Sequence, residues 1–438
     1  MPMSLSLLLL MLAGGFAAPE VDEVLDVTPV WAGHRVGFCL LTHPPKQFAA
    51  FYDAERVLTV AERRLDKKAW AFTQLDEQVG WDSHNYVTMA VDDAGHVHLA
   101  GNMHVHPLKY FRSAAPLDAG TLERVPAMVG KKERRVTYPK FFRGPQDRLI
   151  FTYRDGSSGS GNQIYNVYDP EAQVWSRLLD QPLTDGGGDM NAYIIGPAAG
   201  PDGFWHVCWV WRDTPNCATN HDVCYARSKD LVHWETSGGE AQDLPMTFSS
   251  AEVVDPVPPG GGVINGNTRI GFDLEDRVVL TYHKHDVNGN TQVYNARREA
   301  DGWNICQATD WDYRWEFEGG GTINFEIRVH AVSRRGDMLV QSYSHQKREG
   351  GTFQLDPETL RPIEKVPAAP SPYPKEARAP EGDYPGLNVY WAGDDGHAAE
   401  SGVRYFLRWE ALGVNRDRPR EKPWPAPSML RLYRLVME

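Results

Sequence analysis

The sequence is poor in cysteine and has no excess of positive charge. It contains 5 cysteines in 438 residues, and because this number is odd at least one thiol lies outside any intramolecular disulfide. A disulfide-stapled scaffold is therefore excluded. The 45 Lys and Arg residues against 58 Asp and Glu residues give a formal net charge of −13. That balance argues against a nucleic-acid partner and against an anionic membrane surface.

Long apolar runs are also missing after the N-terminus. The run Leu5–Leu12 is too short to cross a bilayer. Small residues follow it and offer cleavage after Ala17 or Ala18. We therefore predict a signal peptide over residues 1–18, a mature domain over residues 19–438, and a secreted or periplasmic protein. The alternative is an apolar N-terminus without a targeting role.

The residues that are abundant favour turns and aromatic-rich strands. The chain has 40 Gly, 31 Pro and 14 Trp residues, and 42% of its residues are hydrophobic, enough for a large core. A strand, a Gly/Asp turn and a second strand recur along the sequence. The turns fall near residues 46, 95, 147, 203, 275, 336 and 396.

This recurrence gives seven modules with the period of a propeller. We predict an all-β fold, a seven-bladed β-propeller of four-stranded antiparallel blades. Each blade would bury its faces against its neighbours in a ring. The alternating segment Met429–Leu435 predicts a strand that closes the ring beside N-terminal sequence. Two stacked β-sandwiches are the alternative architecture.

One turn carries a further signal for this architecture. The segment Ser228–Trp234 resembles the Asp-box of sialidase-type propellers. There the Ser and Asp side chains cap the turn and the Trp packs between sheets. The motif is structural and does not identify a reaction.

A hairpin with histidines at its open end is the strongest pointer to function. Val87–Val91 and His96–Gly101 read as two strands joined by the turn at residues 92–95. His84 precedes the first strand and His104 follows the second. Because a hairpin brings its ends together, we expect these two histidines to be neighbours.

Two further residues complete a chemically coherent set. Tyr138 and Arg154 lie in similar strand-end frames, and Tyr138 precedes a proline, which predicts extended backbone. An arginine can neutralise a carboxylate, with help from a neutral His or from Asn85. A histidine or tyrosine can then remove the acidic proton next to that carboxylate. On a uronic acid within a polysaccharide the result is β-elimination, which needs no redox cofactor or catalytic metal.

Five segments together resemble a known family. They are Asp82–Ser113, Val136–Arg154, Trp209–Pro215, Asn220–Asp222 and Trp315–Gly321. They are similar to the BNR-repeat-type seven-bladed propeller polysaccharide lyases, which include ulvan lyases and rhamnose–glucuronate lyases. The sequence departs from that pattern at Met103, where His is frequent, and at His106, where Asn is frequent.

The resemblance implies eliminative cleavage at glucuronate or iduronate joined to rhamnose. It places the family's two histidines, tyrosine and arginine on His84, His104, Tyr138 and Arg154, and a further cleft tyrosine on Tyr193. We assign His84 and Tyr138 to proton transfer, and His104 and Arg154 to binding and neutralising the uronate. We also predict that Asn85, Tyr193 and Arg212 bind substrate.

Metal binding is a separate hypothesis. The chain offers several zinc-type ligands without a compact finger spacing, and structural zinc occurs in the lyases it resembles. We name His221, Cys224 and His283 as ligands of a structural zinc or calcium. Residues 221 and 224 of a regular strand point to opposite faces, so this pair requires a bulge. The alternative is buried thiols with hydrogen-bonded histidines.

The predicted partner is an acidic polysaccharide, bound by a monomer, with no nucleic acid or membrane partner. Two rival functions stay open. A glycoside hydrolase normally needs paired carboxylates, and no convergent pair is evident near the hairpin. A non-catalytic carbohydrate-binding propeller would keep Arg154 and the aromatic residues but show no turnover.

Overall fold

A computed structural model describes residues 20–396 and 400–436 of the protein. Within these ranges the chain is built from strands and four 3₁₀ turns, at Ala119–Thr121, Pro145–Asp147, Cys217–Thr219 and Lys375–Ala377. No helix in this part of the chain is long and apolar enough to cross a membrane. The predicted signal peptide lies outside the described residues.

The first ten strands include two complete four-stranded antiparallel sheets. Their bounds are β1 (Glu20–Val30), β2 (Cys39–His43), β3 (Lys46–Tyr52), β4 (Val57–Arg64), β5 (Ala71–Gln78), β6 (Val87–Val91), β7 (Val97–Gly101), β8 (His104–His106), β9 (Tyr110–Ser113) and β10 (Leu122–Val125). Strands β2 to β5 pair in sequential order, and the second sheet has the order β6-β7-β9-β10. The β6–β7 pairing confirms the predicted hairpin.

The middle of the chain forms one sheet of eleven strands. Besides β8 it contains β11 (Val136–Arg143), β12 (Leu149–Ser157), β13 (Ser160–Asp169), β14 (Val174–Arg177), β15 (Asn191–Ala199), β16 (Trp205–Arg212), β17 (Asn220–Ser228), β18 (Trp234–Glu235), β19 (Ala241–Gln242) and β20 (Glu252–Asp255). Its halves, β8 with β11–β14 and β15–β20, meet at a single parallel residue pair, Gly161 with Asn191.

The last twelve strands complete three more sheets. They are β21 (Arg269–Phe272), β22 (Val278–His285), β23 (Thr291–Glu299), β24 (Gly302–Gln307), β25 (Ile327–Val329), β26 (Ser333–Arg335), β27 (Met338–His345), β28 (Gly351–Leu355), β29 (Pro362–Val366), β30 (Leu387–Gly393), β31 (Val403–Leu412) and β32 (Ser428–Val436). Strands β21–β24 form one sheet and β25–β29 the next. The final sheet has the order β1-β32-β31-β30, which confirms that the C-terminal strand pairs with N-terminal sequence.

Neighbouring sheets bury their apolar residues against each other. One core cluster contains Phe51 of β3, Val97 of β7 and Leu407 of β31, so it joins the first, second and last sheets. An isolated parallel bridge between Leu40 and Asp394 links the first and last sheets directly. The first and last sheets are therefore adjacent in space.

The Asp-box forms as predicted. The Ser228 Oγ accepts a hydrogen bond from the Leu231 amide at 2.8 Å, and Asp230 Oδ1 accepts one from the Val232 amide at 2.8 Å. Trp234 is buried in the adjacent core cluster. All five cysteines are free and buried, which confirms that disulfides do not hold this fold.

Candidate functional site

A cavity of about 520 Å³ opens beside the histidine hairpin. This volume falls in the range of small-ligand sites, about 300–1,000 Å³. Residues from both halves of the large sheet and from the loops before β6, β21 and β25 border it. Six of the seven residues predicted to catalyse or to bind substrate line it, namely His84, His104, Tyr138, Arg154, Tyr193 and Arg212.

Strand register explains why residues so far apart in sequence converge here. His104 on β8 pairs with Thr137 on β11, and Thr137 pairs with Arg154 on β12. Arg154 in turn pairs with Gln163 on β13. The four residues form one row across the sheet, so β8, which follows the hairpin, carries His104 to the edge of the next sheet.

Asp82 holds both histidines of the hairpin. Its Oδ1 lies 2.7 Å from His84 Nδ1, and its Oδ2 lies 2.5 Å from His104 Nδ1. The two imidazole centroids are 4.4 Å apart, as expected of neighbours. Burial raises the pKa of the Asp82 carboxyl, but hydrogen bonds from His104 and His84 outweigh it and hold that pKa well below its usual range.

This arrangement sets the tautomer of both rings. An ionised carboxylate can only accept hydrogen bonds, so each Nδ1 must carry a hydrogen and donate it to Asp82. In the neutral form of each imidazole, Nε2 then carries the lone pair. Both rings line the cavity, and their Nε2 atoms are the basic positions of the site.

A second carboxylate, that of Asp417, fixes the loop that carries His84. Asp417 Oδ1 accepts hydrogen bonds from the Ser83 amide at 3.1 Å and the Ser83 hydroxyl at 2.7 Å. Asp417 Oδ2 accepts one from the Thr322 amide at 2.7 Å. The Thr322 hydroxyl lies 3.2 Å from His84 Nε2. The β31–β32 loop therefore joins the loop that carries His84 to the loop that carries Thr322.

The backbone at Tyr138 differs from the prediction. Tyr138 has φ +56°, in the left-handed region, although the proline after it predicts extended backbone. The register between β11 and β12 shifts between Thr137 and Lys140, so Tyr138 lies in a β-bulge. Bulges change the direction of side chains and are frequent next to active sites. This bulge explains the positive φ of Tyr138, a backbone conformation that costs about 1–3 kcal/mol.

The Tyr138 ring lies between the histidines and Arg154. Its centroid is 5.6 Å from that of His84 and 5.8 Å from that of His104. The Arg154 guanidinium carbon lies 4.8 Å from the Tyr138 ring centroid. Burial raises the pKa of the Tyr138 hydroxyl well above its usual range, and the positive charge of Arg154 offsets part of that rise. The Tyr138 hydroxyl therefore stays protonated across the neutral pH range.

Arg154 is buried without a counter-ion. It is 2% exposed, and its Nε, Nη1 and Nη2 atoms all lack a hydrogen-bond partner among the described residues. Its charge faces the rings of Tyr138 and Tyr193, whose centroids lie 4.8 and 5.3 Å away. Such cation–π contacts contribute about 2 kcal/mol when desolvated, less than a buried unpaired ion costs. A bound anion would therefore stabilise this guanidinium, to which residues 20–396 and 400–436 offer no carboxylate.

The other predicted binding residues differ in how free they are. The Tyr193 hydroxyl donates to Ser158 Oγ at 3.0 Å. Arg212 donates to the carbonyls of Thr214 and Pro215, so its guanidinium is held by backbone. Asn85 is buried outside the cavity lining, and its side-chain oxygen Oδ1 has no hydrogen-bond partner in the described part of the chain.

The cavity is cationic, although the chain is acidic. Lys140, Arg154 and Arg212 line it together with the two histidines. No Asp or Glu is among the described residues that line it. The cavity is therefore locally positive, which favours an anionic ligand, although the chain as a whole has a net charge of −13.

The structure does not assemble the metal ligands proposed from the sequence. Strand β17 does bulge between His221 and Val223, but both His221 nitrogens are held, Nδ1 by Asp222 at 2.8 Å and Nε2 by Asp213 at 2.9 Å. Cys224 is buried, and burial raises the pKa of its thiol. His283 lies on a different sheet against Trp315. These residues do not fit a shared zinc or calcium ion.

One group of potential ligands does come together among residues 20–396 and 400–436, and it is Asp82 with His84 and His104. Its short distances are those of hydrogen bonds between a carboxylate and two Nδ1 atoms. The donor set could hold a divalent ion if these hydrogens were lost.

Sequence reasoning missed the two carboxylates that organise the site. Asp82 lies two residues before His84, and that spacing was a usable signal because Asp side chains bond the backbone two residues on. The His84 amide does donate to Asp82 Oδ1, at 2.9 Å. Asp417 offered no signal, because its partners come from two distant loops.

Comparisons with known proteins agree with this architecture. The model of the family described as "BNR repeat-containing family member" matches residues 46–311. No curated protein sequence matches the chain. The crystal structure of polysaccharide lyase Uly1 is similar, with a TM-score of 0.60 and 13% identity, over 95% of this chain and 99% of that one.

Two structures of a PL25 ulvan lyase are also similar. The first has a TM-score of 0.55 and 13% identity, over 97% of this chain and 96% of that one. The second is bound to -[GlcA(1-4)Rha3S]- and has a TM-score of 0.56 and 12% identity, over 94% of this chain and 95% of that one. These TM-scores establish a shared fold, and at identities of 12–13% the similarity shows the fold alone.

Proposed function

The chain belongs to the BNR repeat-containing family, and from that membership and the chemistry of its cavity we propose that it is a polysaccharide lyase. Its substrate is a polymer in which a uronic acid, glucuronate or iduronate, is joined to rhamnose, as in ulvan. The reaction is β-elimination, which leaves a 4,5-unsaturated uronate at the new end. The protein acts outside the cytoplasm as a monomer.

We also propose that the sheets close into a seven-bladed propeller. Splitting the eleven-stranded sheet at its single parallel pair gives a five-stranded unit, β8 with β11–β14, and a six-stranded unit, β15–β20, and these join five other sheets. The pairing of β1 with β32 and the bridge between Leu40 and Asp394 support closure of the ring. Closure leaves only short edges, which fits an exported all-β protein.

The single observation that carries the proposal is the unpaired Arg154. A buried guanidinium with three free nitrogen atoms is costly unless a ligand supplies a matching anion. A planar carboxylate can take two of these donors at once. Neutralising the uronate carboxylate also makes its C5 hydrogen acidic enough to remove. The same contact with Arg154 therefore binds the substrate and activates it.

Proton transfer then follows from the tautomers and from the Tyr138 pKa. With Nδ1 hydrogen-bonded to Asp82, His84 offers the Nε2 lone pair and removes the C5 proton. Electrons from the broken C5–H bond form the C4–C5 double bond as the C4–O bond breaks. The Tyr138 hydroxyl, whose pKa is raised by burial, donates its proton to the departing O4. Transfer from the imidazolium back to the tyrosinate resets the site.

His104 has a different role in this scheme. Its Nδ1 bonds the same Asp82 carboxylate, and its main-chain neighbour is Thr137 in the row that contains Arg154. We assign His104 to binding the uronate beside Arg154. The absence of a carboxylate pair among the described lining residues disfavours hydrolysis, which normally uses two carboxyl groups.

The decisive experiment is incubation of the purified protein with ulvan and with other rhamnose–glucuronate polymers. Growth of the ultraviolet absorbance of the unsaturated uronate would identify β-elimination and the substrate class together. New reducing ends without that absorbance would mean a hydrolase. Binding without either product would mean a carbohydrate-binding protein.

Variants test the assignments separately from the fold. Arg154→Ala and His84→Ala should abolish elimination while the circular dichroism spectrum and the unfolding midpoint stay close to those of the wild type. Near-normal turnover in either variant would refute the corresponding assignment. Arg335→Ala is the matched control for Arg154, because Arg335 lies at the β26–β27 turn, outside the cavity lining.

A further inference from the structure

Two arginines, Arg269 on strand β21 and Arg328 on strand β25, lie next to residues that line the cavity. The buried Asn267 side chain joins these strands. Its Nδ2 donates to the Ile327 carbonyl at 3.0 Å, and its Oδ1 accepts from the Val329 amide at 3.2 Å. These two backbone groups flank Arg328, and Arg269 lies two residues after Asn267. The two arginines are therefore fixed as neighbours through the backbone.

Both arginines contact residues that line the cavity. Arg269 Nη1 donates to the Gly266 carbonyl at 3.0 Å, and the Arg328 guanidinium carbon lies 5.2 Å from the Phe325 ring centroid. Gly266 and Phe325 border the cavity and lie next to each other, since a Cβ on Gly266 would be 3.8 Å from the Phe325 ring.

Neither guanidinium has a counter-ion within the part of the chain that the structure describes. Among these residues no carboxylate lies within 4.0 Å of Arg269 or Arg328, whereas 13 of the 32 arginines of the chain have one. Glu326, two residues before Arg328, is engaged by Tyr313 and Lys347. Burial lowers the pKa of Arg269, and the positive charge of Arg328 also acts to lower it.

Paired guanidiniums without a carboxylate have the chemistry of an oxyanion site. A planar or tetrahedral oxyanion accepts from several N–H donors at once and relieves the repulsion between the two cations. The arginine assigned to the cleaved uronate is Arg154 on β12. Arg269 and Arg328 lie on other strands, β21 and β25, and have no role in that assignment. A polymer that fills the cavity would present a flanking sugar to them.

We propose that Arg269 and Arg328 form a second anion subsite of the cavity, which binds a further oxyanion of the substrate polymer, a sulfate ester or the carboxylate of a neighbouring uronic acid. This inference rests on the proposed function, because it assumes that an acidic polysaccharide occupies the cavity. It goes beyond that function by making affinity depend on two anionic groups and not on the cleaved uronate alone.

The test measures binding and turnover separately, using ulvan, chemically desulfated ulvan and carboxyl-reduced ulvan as probes. Tryptophan fluorescence titration gives the dissociation constant, and unsaturated product gives kcat and KM. We compare the wild type with Arg328→Gln and Arg269→Gln. Arg328→Gln is the cleaner variant, because Arg269 also donates to backbone carbonyls. Arg335→Gln, at the distant β26–β27 turn, is the matched control.

On ulvan we expect Arg328→Gln to weaken binding and raise KM by about tenfold, the effect of losing one charge-assisted hydrogen bond, while kcat changes little. If the wild type and Arg328→Gln bind desulfated ulvan with equal dissociation constants, the ligand of the subsite is a sulfate ester. If their dissociation constants become equal only on carboxyl-reduced ulvan, the ligand is a carboxylate.

Equal affinity of wild type and both variants for all three polymers would overturn the subsite. The fluorescence titration separates this result from failure of the proposed function, because it does not depend on turnover. A wild type that binds ulvan but forms no unsaturated product would refute the lyase assignment and leave the affinity gap measurable. A wild type that does not bind any of the polymers would overturn both.

Discussion

Asp417 and Ser83 are 334 residues apart in the chain and are joined by two hydrogen bonds to one carboxylate oxygen. The same carboxylate binds the Thr322 amide, and the Thr322 hydroxyl contacts His84 Nε2. The position of the proposed base therefore depends on loops from three different sheets. A site of this kind is positioned by contacts between loops of different sheets and not by a single strand.

Asp417→Asn should lower kcat with little change in KM. The amide nitrogen of Asn cannot accept from the Thr322 amide, and one unsatisfied buried donor costs about 1–3 kcal/mol, so we expect a loss of about tenfold or more. Thr322→Val should produce a similar loss, whereas Thr322→Ser keeps the hydroxyl and should stay close to the wild type. Asp337→Asn, at the exposed β26–β27 turn, is the control. A drop in all four variants would show that the assay reports stability.

Arg154→Met should strongly reduce kcat/KM without destabilising the protein. Losing one partner of a buried charge pair costs about 2–5 kcal/mol, which corresponds to a fall in kcat/KM of about 30-fold to several thousandfold. In the free protein the arginine is unpaired, so the apolar side chain should keep the free energy of unfolding or raise it by about 1–4 kcal/mol. Urea denaturation measures it, and a large destabilisation would show that Arg154 is structural.

Tyr138→Phe should lower kcat by about 10²- to 10⁴-fold, the usual contribution of general acid catalysis. The ring that stacks on Arg154 is kept, so KM and the unfolding midpoint should change little. Tyr384→Phe removes the hydroxyl of a half-buried tyrosine outside the cavity lining and serves as control. A kcat within twofold of the wild type would remove Tyr138 from the proton-transfer step.

Asp82 should make stability depend on acid pH. Its folded pKa lies below its unfolded value of about 3.9, so its contribution is fully present above that pH and is lost as pH falls toward the folded pKa. The difference in unfolding free energy between wild type and Asp82→Asn should therefore be larger at about pH 6 than at about pH 3. Urea titrations at both pH values measure this difference. A difference that does not change with pH would contradict the assigned hydrogen bonds.

Gly161→Ala should reduce activity through Arg154. A Cβ at this position would lie 2.8 Å from the Cγ and Cδ atoms of Arg154, closer than real contacts allow. Small displacements of a binding group can cost about 100-fold, so we expect kcat/KM to fall by about 10- to 100-fold. Gly80→Ala is the matched control, since a Cβ there meets no atom within 4 Å. Unchanged kinetics would mean that the arginine adjusts.

The repeat and the hairpin were readable from the sequence because they depend on local patterns. Alternating strands, Gly/Asp turns and the Asp-box at Ser228–Trp234 predict sheets that the structure contains, and the β6–β7 hairpin brings His84 and His104 together as expected. Six of the seven predicted catalytic or substrate-binding residues line one cavity, whose function stays a proposal.

Other features depended on contacts that a sequence does not encode locally. The bulge at Tyr138 overrides the preference of a residue before proline, because the register between β11 and β12 fixes its backbone. His221 is held by Asp213 and Asp222, so the proposed metal ligands stay apart.

The sequence by itself determined the class of fold and the types of side chain available for chemistry, since strand alternation and turn residues act over a few neighbours. The tertiary structure decided which charges are paired. Among the described residues Arg154 has no carboxylate partner. Asp82 accepts hydrogen bonds from two histidines, and Asp417, on the β31–β32 loop, bonds Ser83 next to the site. Pairing of charges depends on distances between strands and loops remote in sequence, and those distances exist only once the sheets have packed.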